Sequence, residues 1–259
     1  MMRPHAPKSA RRLRSLGRWM RHPSGAAPPP GLVRLGSLRR LSPLSRTWGF
    51  DRGTPIDRYY IDEFLGRHAG ESRYAIGDIK GDVLEIGGDV YARRFGRWGE
   101  PDSPVESVDI FHADESNPDA TIVGDLVAID TLPVERFDCI ICTQTLPFIY
   151  DVKAALRGLH RMLKPGGVLL ATFPGISQTV RPDIDLWGDY WRFTTRSARL
   201  LLEEVFPASG TRMDVFGNVL TATGFLYGMA ADEFRSEELE VHDPQYQLLI
   251  GVRAVKEQA

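Results

Sequence analysis

Val83-Leu84-Glu85-Ile86-Gly87-Gly88-Asp89 places an apolar run, an acid and two glycines in succession. An apolar strand that breaks on glycine lets the backbone approach a ligand closely, because glycine has no Cβ. In α/β proteins such a turn is where an adenosine-type cofactor is gripped, beyond the carboxyl ends of the strands. The later strand ends are therefore the next places to look. Asp109 follows Gly87 by twenty-two residues, a spacing that suits an acid accepting hydrogen bonds from a ribose diol. In Gly124-Asp125-Leu126 the acid can bond an exocyclic amine while Leu126 packs on a purine face. Thr143-Gln144-Thr145 supplies polar groups at the floor of the cleft. Glu85, Gly87, Gly88, Asp109, Asp125, Leu126 and Thr143 are thus the candidate cofactor-binding residues. Each also has a plain alternative: a strand-to-helix turn, a surface acid, or a threonine satisfying loop backbone.

The elements that would position them follow from periodicity. Apolar runs predict strands over residues 83–86, 105–110, 121–123, 137–142 and 168–173, with a last strand over 246–252. Helical spacing is expected over 90–97, 151–163, 196–205 and 218–230. Thr54 is expected to cap an earlier helix with Pro55 in its first position, and Ile56, Tyr60 and Phe64 on one face. Gly166-Gly167 reads as a turn into the fifth strand. Continuous apolar strands alternating with amphipathic helices imply a parallel sheet covered on both faces.

A chain of 259 residues accommodates one large α/β domain plus a tail. No run of 18 apolar residues is present, so no membrane span is expected. Cys139 and Cys142 are the 2 cysteines, three apart on an expected strand and so facing opposite sides. They read as buried small hydrophobes, with a zinc or redox pair as the alternative, and suit a reducing cytoplasm; no metal site is expected. Residues 1–46 carry eleven basic side chains and no acid. With a net charge of −2 for the whole chain, the remainder carries −13. Residues 1–47 are therefore read as a basic arm without fixed structure, and 48–259 as the folded domain. Residues 11–21 of the arm could form a basic amphipathic helix on an anionic membrane surface, a targeting peptide or a solvated tail. The acidic body argues against nucleic acid as a partner.

At this point a family resemblance can be stated. Residues 83–174 resemble the core of class I S-adenosylmethionine-dependent methyltransferases. The resemblance is carried by Val83-Leu84-Glu85-Ile86-Gly87, Gly124-Asp125, Leu132-Pro133 with Phe137-Asp138, and Leu163-Lys164-Pro165-Gly166-Gly167. Gly188-Asp189-Tyr190-Trp191-Arg192-Phe193-Thr194 is similar to a segment of bacterial methyltransferase domains linked to glycan and secondary-metabolite pathways. The resemblance implies a Rossmann-like, doubly wound, mostly parallel seven-stranded α/β sheet, S-adenosyl-L-methionine as cofactor, and a small-molecule, glycan or natural-product acceptor. Three positions depart from the family pattern. Asp89 and Tyr91 stand where its loop has a second and third glycine, and Phe148 stands where many relatives carry a histidine.

A sulfonium methyl donor needs no covalent nucleophile, only alignment and exclusion of water. An oxygen acceptor also benefits from a base, for which Asp51, Tyr59 and Asp189 are candidates. His160, between Leu159 and Met162 in a helix, reads as structural. Tyr190 and Trp191 could stack on the acceptor, line the sulfonium pocket, or simply cap the sheet. Two rival readings remain: a scaffold protein whose cofactor loop is degenerate, with Asp89 and Tyr91 as its evidence, and an enzyme of the same fold catalysing an isomerisation or cyclisation. A nicotinamide oxidoreductase fits less well, because Gly-x-Gly-x-x-Gly is absent.

Overall fold

The computed structural model describes residues 27–28, 32–69, 77–180 and 185–258. The chain divides into two units, Met1–Ser42 and Pro43–Ala259. In the first, the described residues contain a 3-10 turn at Gly36–Leu38, with Leu32, Val33, Leu35 and Leu41 exposed. The helix expected over residues 11–21 lies outside the described residues. No helix among the described residues is long and apolar enough to cross a membrane.

The second unit is a seven-stranded sheet flanked by helices. Its strands are β1 Gly81–Ile86, β2 Val105–His112, β3 Ile122–Val123, β4 Phe137–Cys142, β5 Leu163–Pro174, β6 Thr211–Phe216 and β7 Leu249–Val255. Their order is β3-β2-β1-β4-β5-β7-β6. The pairs from β3 to β5 are parallel, and β7 runs antiparallel to both β5 and β6. Strand order reverses between β1 and β4, the place where a doubly wound sheet opens a crevice.

Strand residues alternate between the two faces as their period of two requires. Along β4, Cys139 and Ile141 enter one core while Ile140 and Cys142 enter the other. Both thiols are buried and unbridged, and burial pushes that of Cys142 up to about 12. Helices α1 Ile56–Gly66, α2 Val90–Gly96 and α5 Val219–Leu226 contribute to the first core, α3 Val152–Met162 and α4 Thr195–Glu203 to the second. Buried Ile56, Tyr60, Ile61, Phe64 and Leu65 fasten α1 to the sheet. Each such burial contributes about 1.5–3 kcal/mol, so the first turn of α1, with Asp57 and Arg58, is held in a fixed place.

Several starts are set by side-chain caps. Asp151 accepts from the N–H of Ala154 at 2.9 Å to begin α3, and Asn218 begins α5. Thr54 does not cap α1. Its N–H donates to Asp232 at 2.7 Å, and Pro55 takes the cap position. The expected Gly166-Gly167 turn lies inside β5, which starts at Leu163 opposite Phe137 and shifts register before Cys139. The last strand lies three residues later than expected, at Leu249–Val255. Strand β6 and the short helix α6 Ser236–Leu239 carry no sequence expectation.

Candidate active site

The carboxyl ends of the central strands border a cavity of about 330 Å³. Strand β1 supplies Gly87, whose φ of 94° falls in the region that favours glycine. The side chain of Asn117 donates to its carbonyl at 3.2 Å, tying the glycine turn to the loop after β2. Asp125 and Leu126 line the cavity after β3. Asp125 accepts from the N–H of Val127 at 3.0 Å, which shapes that loop. Leu126 is buried because α3 comes close at Gly158, where an added Cβ would stand 2.3 Å from the Leu126 carbonyl oxygen. Gln144 and Thr145 line the cavity after β4.

Not all the expected cofactor ligands meet there. Glu85 is buried and accepts from the N–H of Tyr91 at 3.1 Å and of Ala92 at 2.7 Å. It orients the start of α2 rather than facing the cavity, and burial pushes its carboxyl up to about 7, against the lowering effect of those two bonds. Asp109 is a correction. It lies within β2, opposite Leu84, and not at the strand end. Its oxygens take the Thr121 hydroxyl at 2.6 Å and Arg136 at 2.5 Å. The strand continues to His112, and His112 lines the cavity instead, edge-on to Trp187. Thr143 is also displaced from its expected role: its carbonyl accepts from Thr145, and its two successors line the cavity.

The two side chains in the glycine slots turn away. Asp89 pairs with Arg93 at 2.7 Å, and Tyr91 stacks on Phe95 while its hydroxyl accepts from Arg58 at 3.0 Å. Neither lines the cavity, and a Cβ added at Gly87 or Gly88 would meet nothing within 4 Å. An open glycine cradle, apolar Phe111 and Leu126, and the polar Asp125 and Gln144 fit an adenosine cofactor.

A second cavity of about 280 Å³ shares Gln144 and Phe148 with the first. Asp57, Arg58 and Asp189 line it. Asp57 accepts from Gln144 Nε2 at 3.2 Å and from the N–H of Arg58 at 2.9 Å. Burial pushes its carboxyl above the usual range despite the nearby Arg58 charge. Gln144 is in turn held by its N–H on Thr172 Oγ1 at 3.0 Å, with its backbone at φ 50°.

Among the expected bases, Asp189 reaches this cavity, but its carboxylate is enclosed. It accepts from the N–H of Val180 at 2.8 Å and from Arg192 at 2.6 and 2.9 Å. Burial raises its pKa, yet these partners hold it below the usual range. Asp51 and Tyr59 are corrections. Asp51 is exposed and bonded to Ser45 and Thr47 within its own loop. Tyr59 packs edge-on to Tyr60 in the core beneath α1 and lines neither cavity. Tyr190 and Trp191 likewise lie outside both. Tyr190 is edge-on to Tyr150, and Trp191 donates to the carbonyls of Ile149 and Tyr150 at 3.1 and 3.2 Å. His160 packs edge-on to Phe206. Asp57, Arg58, His112 and Trp187 are the site residues that sequence reasoning missed, while Gln144 lies at the cleft as expected of the Thr143-Gln144-Thr145 segment. Asp57 had a signal, an acid in the first turn of a helix, but one that also reads as ordinary helix chemistry.

Residues 101–171 match the family described as a methyltransferase domain. That span runs from the turn before β2 through most of β5 and includes His112, Asp125, Leu126 and Gln144. No curated protein matches the chain. Among solved structures, a chain of the complex between the Haloferax volcanii Trm112 methyltransferase activator and a methyltransferase gives 17% identity over 78% of this chain and 92% of that chain, with a TM-score of 0.48. A SAM-dependent methyltransferase from Archaeoglobus fulgidus gives 12% identity over 78% and 93%, at 0.47. The N-methyltransferase NodS from Bradyrhizobium japonicum, solved with S-adenosyl-l-homocysteine, gives 12% over 78% and 88%, at 0.44.

Proposed function

We propose that this class I S-adenosylmethionine-dependent methyltransferase acts on a hydroxyl of a small molecule or glycan, with Asp57 as the proton acceptor. The observation that carries the reading is the Gln144–Asp57 hydrogen bond, because Gln144 belongs to the walls of both cavities. Gly87, Asp125, Leu126 and Gln144 would hold the cofactor in the first cavity, which leaves the second for the acceptor. The cofactor supplies an electrophilic methyl group on a positively charged sulfur. Asp57 would orient the acceptor hydroxyl and take up the proton released when its oxygen accepts that methyl group. A carboxyl with raised pKa is the better base, since it takes a proton more readily near neutral pH. Phe148 and Trp187 at the rims would keep water from the reacting atoms. The buried Cys139 and Cys142 suit a reducing cytoplasm as the place of action.

Calorimetry with S-adenosylmethionine, followed by labelled-methyl transfer to a panel of hydroxyl compounds, tests this reading. Cofactor binding with label on hydroxyl oxygen is expected. Label found only on nitrogen or carbon acceptors would overturn the acceptor class while leaving the methyltransferase intact.

A further inference from the structure

Arg58 is, with the Asp189–Arg192 pair, a charged group of the second cavity that the reaction outlined above does not use. Its guanidinium is half-buried, and its one side-chain hydrogen bond among the described residues runs from Nη1 to Tyr91 Oη at 3.0 Å. No ion pair to Arg58 is found among the described residues, although acids surround it. Asp62, one turn along α1, is paired with Arg94 at 2.5 Å. Asp189, across the cavity, is paired with Arg192 at 2.6 Å. Asp57 is bonded to Gln144. Among the described residues, Nε and Nη2 of Arg58 thus have no hydrogen-bond partner, on the wall of a cavity. That edge of a guanidinium is the fork that matches a carboxylate or phosphate with two parallel hydrogen bonds. The Asp57 and Asp62 charges lie near it, but neither hydrogen-bonds the guanidinium among the described residues, so once an acceptor displaces water the open fork needs a partner of its own.

We infer that the acceptor is an anionic hydroxy compound whose carboxylate is bound by Arg58 while its hydroxyl faces Asp57. The inference rests on the methyltransferase reading above and adds the charge of the acceptor. The rest of the lining agrees with a flat, compact body. Trp48, Phe50, Phe148 and Phe225 contribute aromatic faces to a space of about 280 Å³, which suits a hydroxylated aromatic acid better than a long chain. Arg58 and Asp57 are consecutive on one helical turn, so the fixed α1 sets the distance between the acid group and the reacting hydroxyl.

The test compares hydroxybenzoates and hydroxycinnamates with their uncharged carboxamides as acceptors, in the wild type, Arg58→Gln and Arg58→Lys. The wild type is expected to prefer the acids. In Arg58→Gln, the ratio of kcat/KM for the acids to that for the amides should fall roughly 10- to 100-fold, as for loss of a charged hydrogen-bonded pair. Arg58→Lys should keep part of the preference, because the charge remains without the fork. Calorimetry should show the same cofactor affinity in all three proteins. A wild type that methylates amides in preference to acids, or that methylates no acid of the panel, overturns the inference. So does an Arg58→Gln protein that loses cofactor affinity with its acid-to-amide ratio unchanged, since Arg58 would then hold the cofactor's own carboxylate. Absence of cofactor binding in the wild type would instead sink the methyltransferase reading itself. Should Arg58→Gln not fold, the wild-type preference and Arg58→Lys decide.

Discussion

Gln144 donates its side-chain amide to Asp57 Oδ2 across 3.2 Å, joining the end of β4 to the first turn of α1. Neither residue is free to move. Gln144 is held on Thr172 by its backbone, and Asp57 sits on a helix fastened by five buried side chains. A carboxylate oriented by a neighbour that itself touches the cofactor cavity is the arrangement expected of a general base.

Replacing Asp57 by Asn keeps the shape but removes the base, and leaves one acceptor oxygen for the Arg58 N–H and Gln144 Nε2 donors. We expect kcat to fall by about 10²–10⁴, with cofactor affinity unchanged. The pH profile supplies a second readout. A base works unprotonated, so wild-type kcat/KM should climb as pH rises through the Asp57 pKa, which burial places above the ordinary 3.8. Asp57→Asn should lack that limb. A variant that retains the full rate would exclude Asp57 as the base.

Asp109 should behave as a structural acid. Its Arg136 partner is half-exposed, at 51% of its side-chain area, so solvent screens the pair. Asp109→Asn should therefore lower stability by only about 1 kcal/mol and leave S-adenosylmethionine binding intact in calorimetry. A large loss of affinity at unchanged stability would restore Asp109 as a cofactor ligand.

The contrast between Asp57 and Asp109 shows what was legible in the sequence. Apolar runs marked β1 to β5, and with them the strand ends where Gly87, Asp125 and Leu126 stand. Residue spacing counts positions but not how far a strand runs, so β2 reached past Asp109 to His112. Edge strand β6, Thr-Arg-Met-Asp-Val-Phe, has too few buried residues to show an apolar run. The placement of Asp57 depends on α1 packing against β7, where Phe64 lies over Gly251, a long-range fact without local signal. The turning away of Asp89 and Tyr91 had a local signal after all. Asp89–Arg93 and Tyr91–Phe95 are i,i+4 pairs that draw both side chains along α2.

Gly88 separates an open cradle from a filled one. An added Cβ there meets no atom within 4 Å, so Gly88→Val should leave thermal unfolding nearly unchanged. Gly88 does not itself line the cavity but follows Gly87, which does; a branched side chain that reaches from it into the cofactor space should raise the dissociation constant about tenfold or more, the equivalent of roughly 1.4 kcal/mol. Unaltered affinity in a folded Gly88→Val protein would place the cofactor away from this turn.

Glu85 links the same turn to pH. Its carboxylate holds the N–H groups of Tyr91 and Ala92, yet burial raises its pKa from the ordinary 4.5 to about 7. The folded chain therefore binds this proton more tightly than the unfolded chain does. The contribution to stability is fully present below the unfolded value and is lost as pH rises through the folded one, so the window runs from 4.5 to about 7. A shift of that size amounts to roughly 3 kcal/mol. Urea unfolding of the wild type and Glu85→Gln across this window isolates the effect, because every other titrating group is common to both proteins. The wild type should lose stability relative to Glu85→Gln as pH rises, with the difference levelling off above neutrality. Parallel curves would mean that the two backbone donors outweigh burial and that Glu85 is ionised throughout.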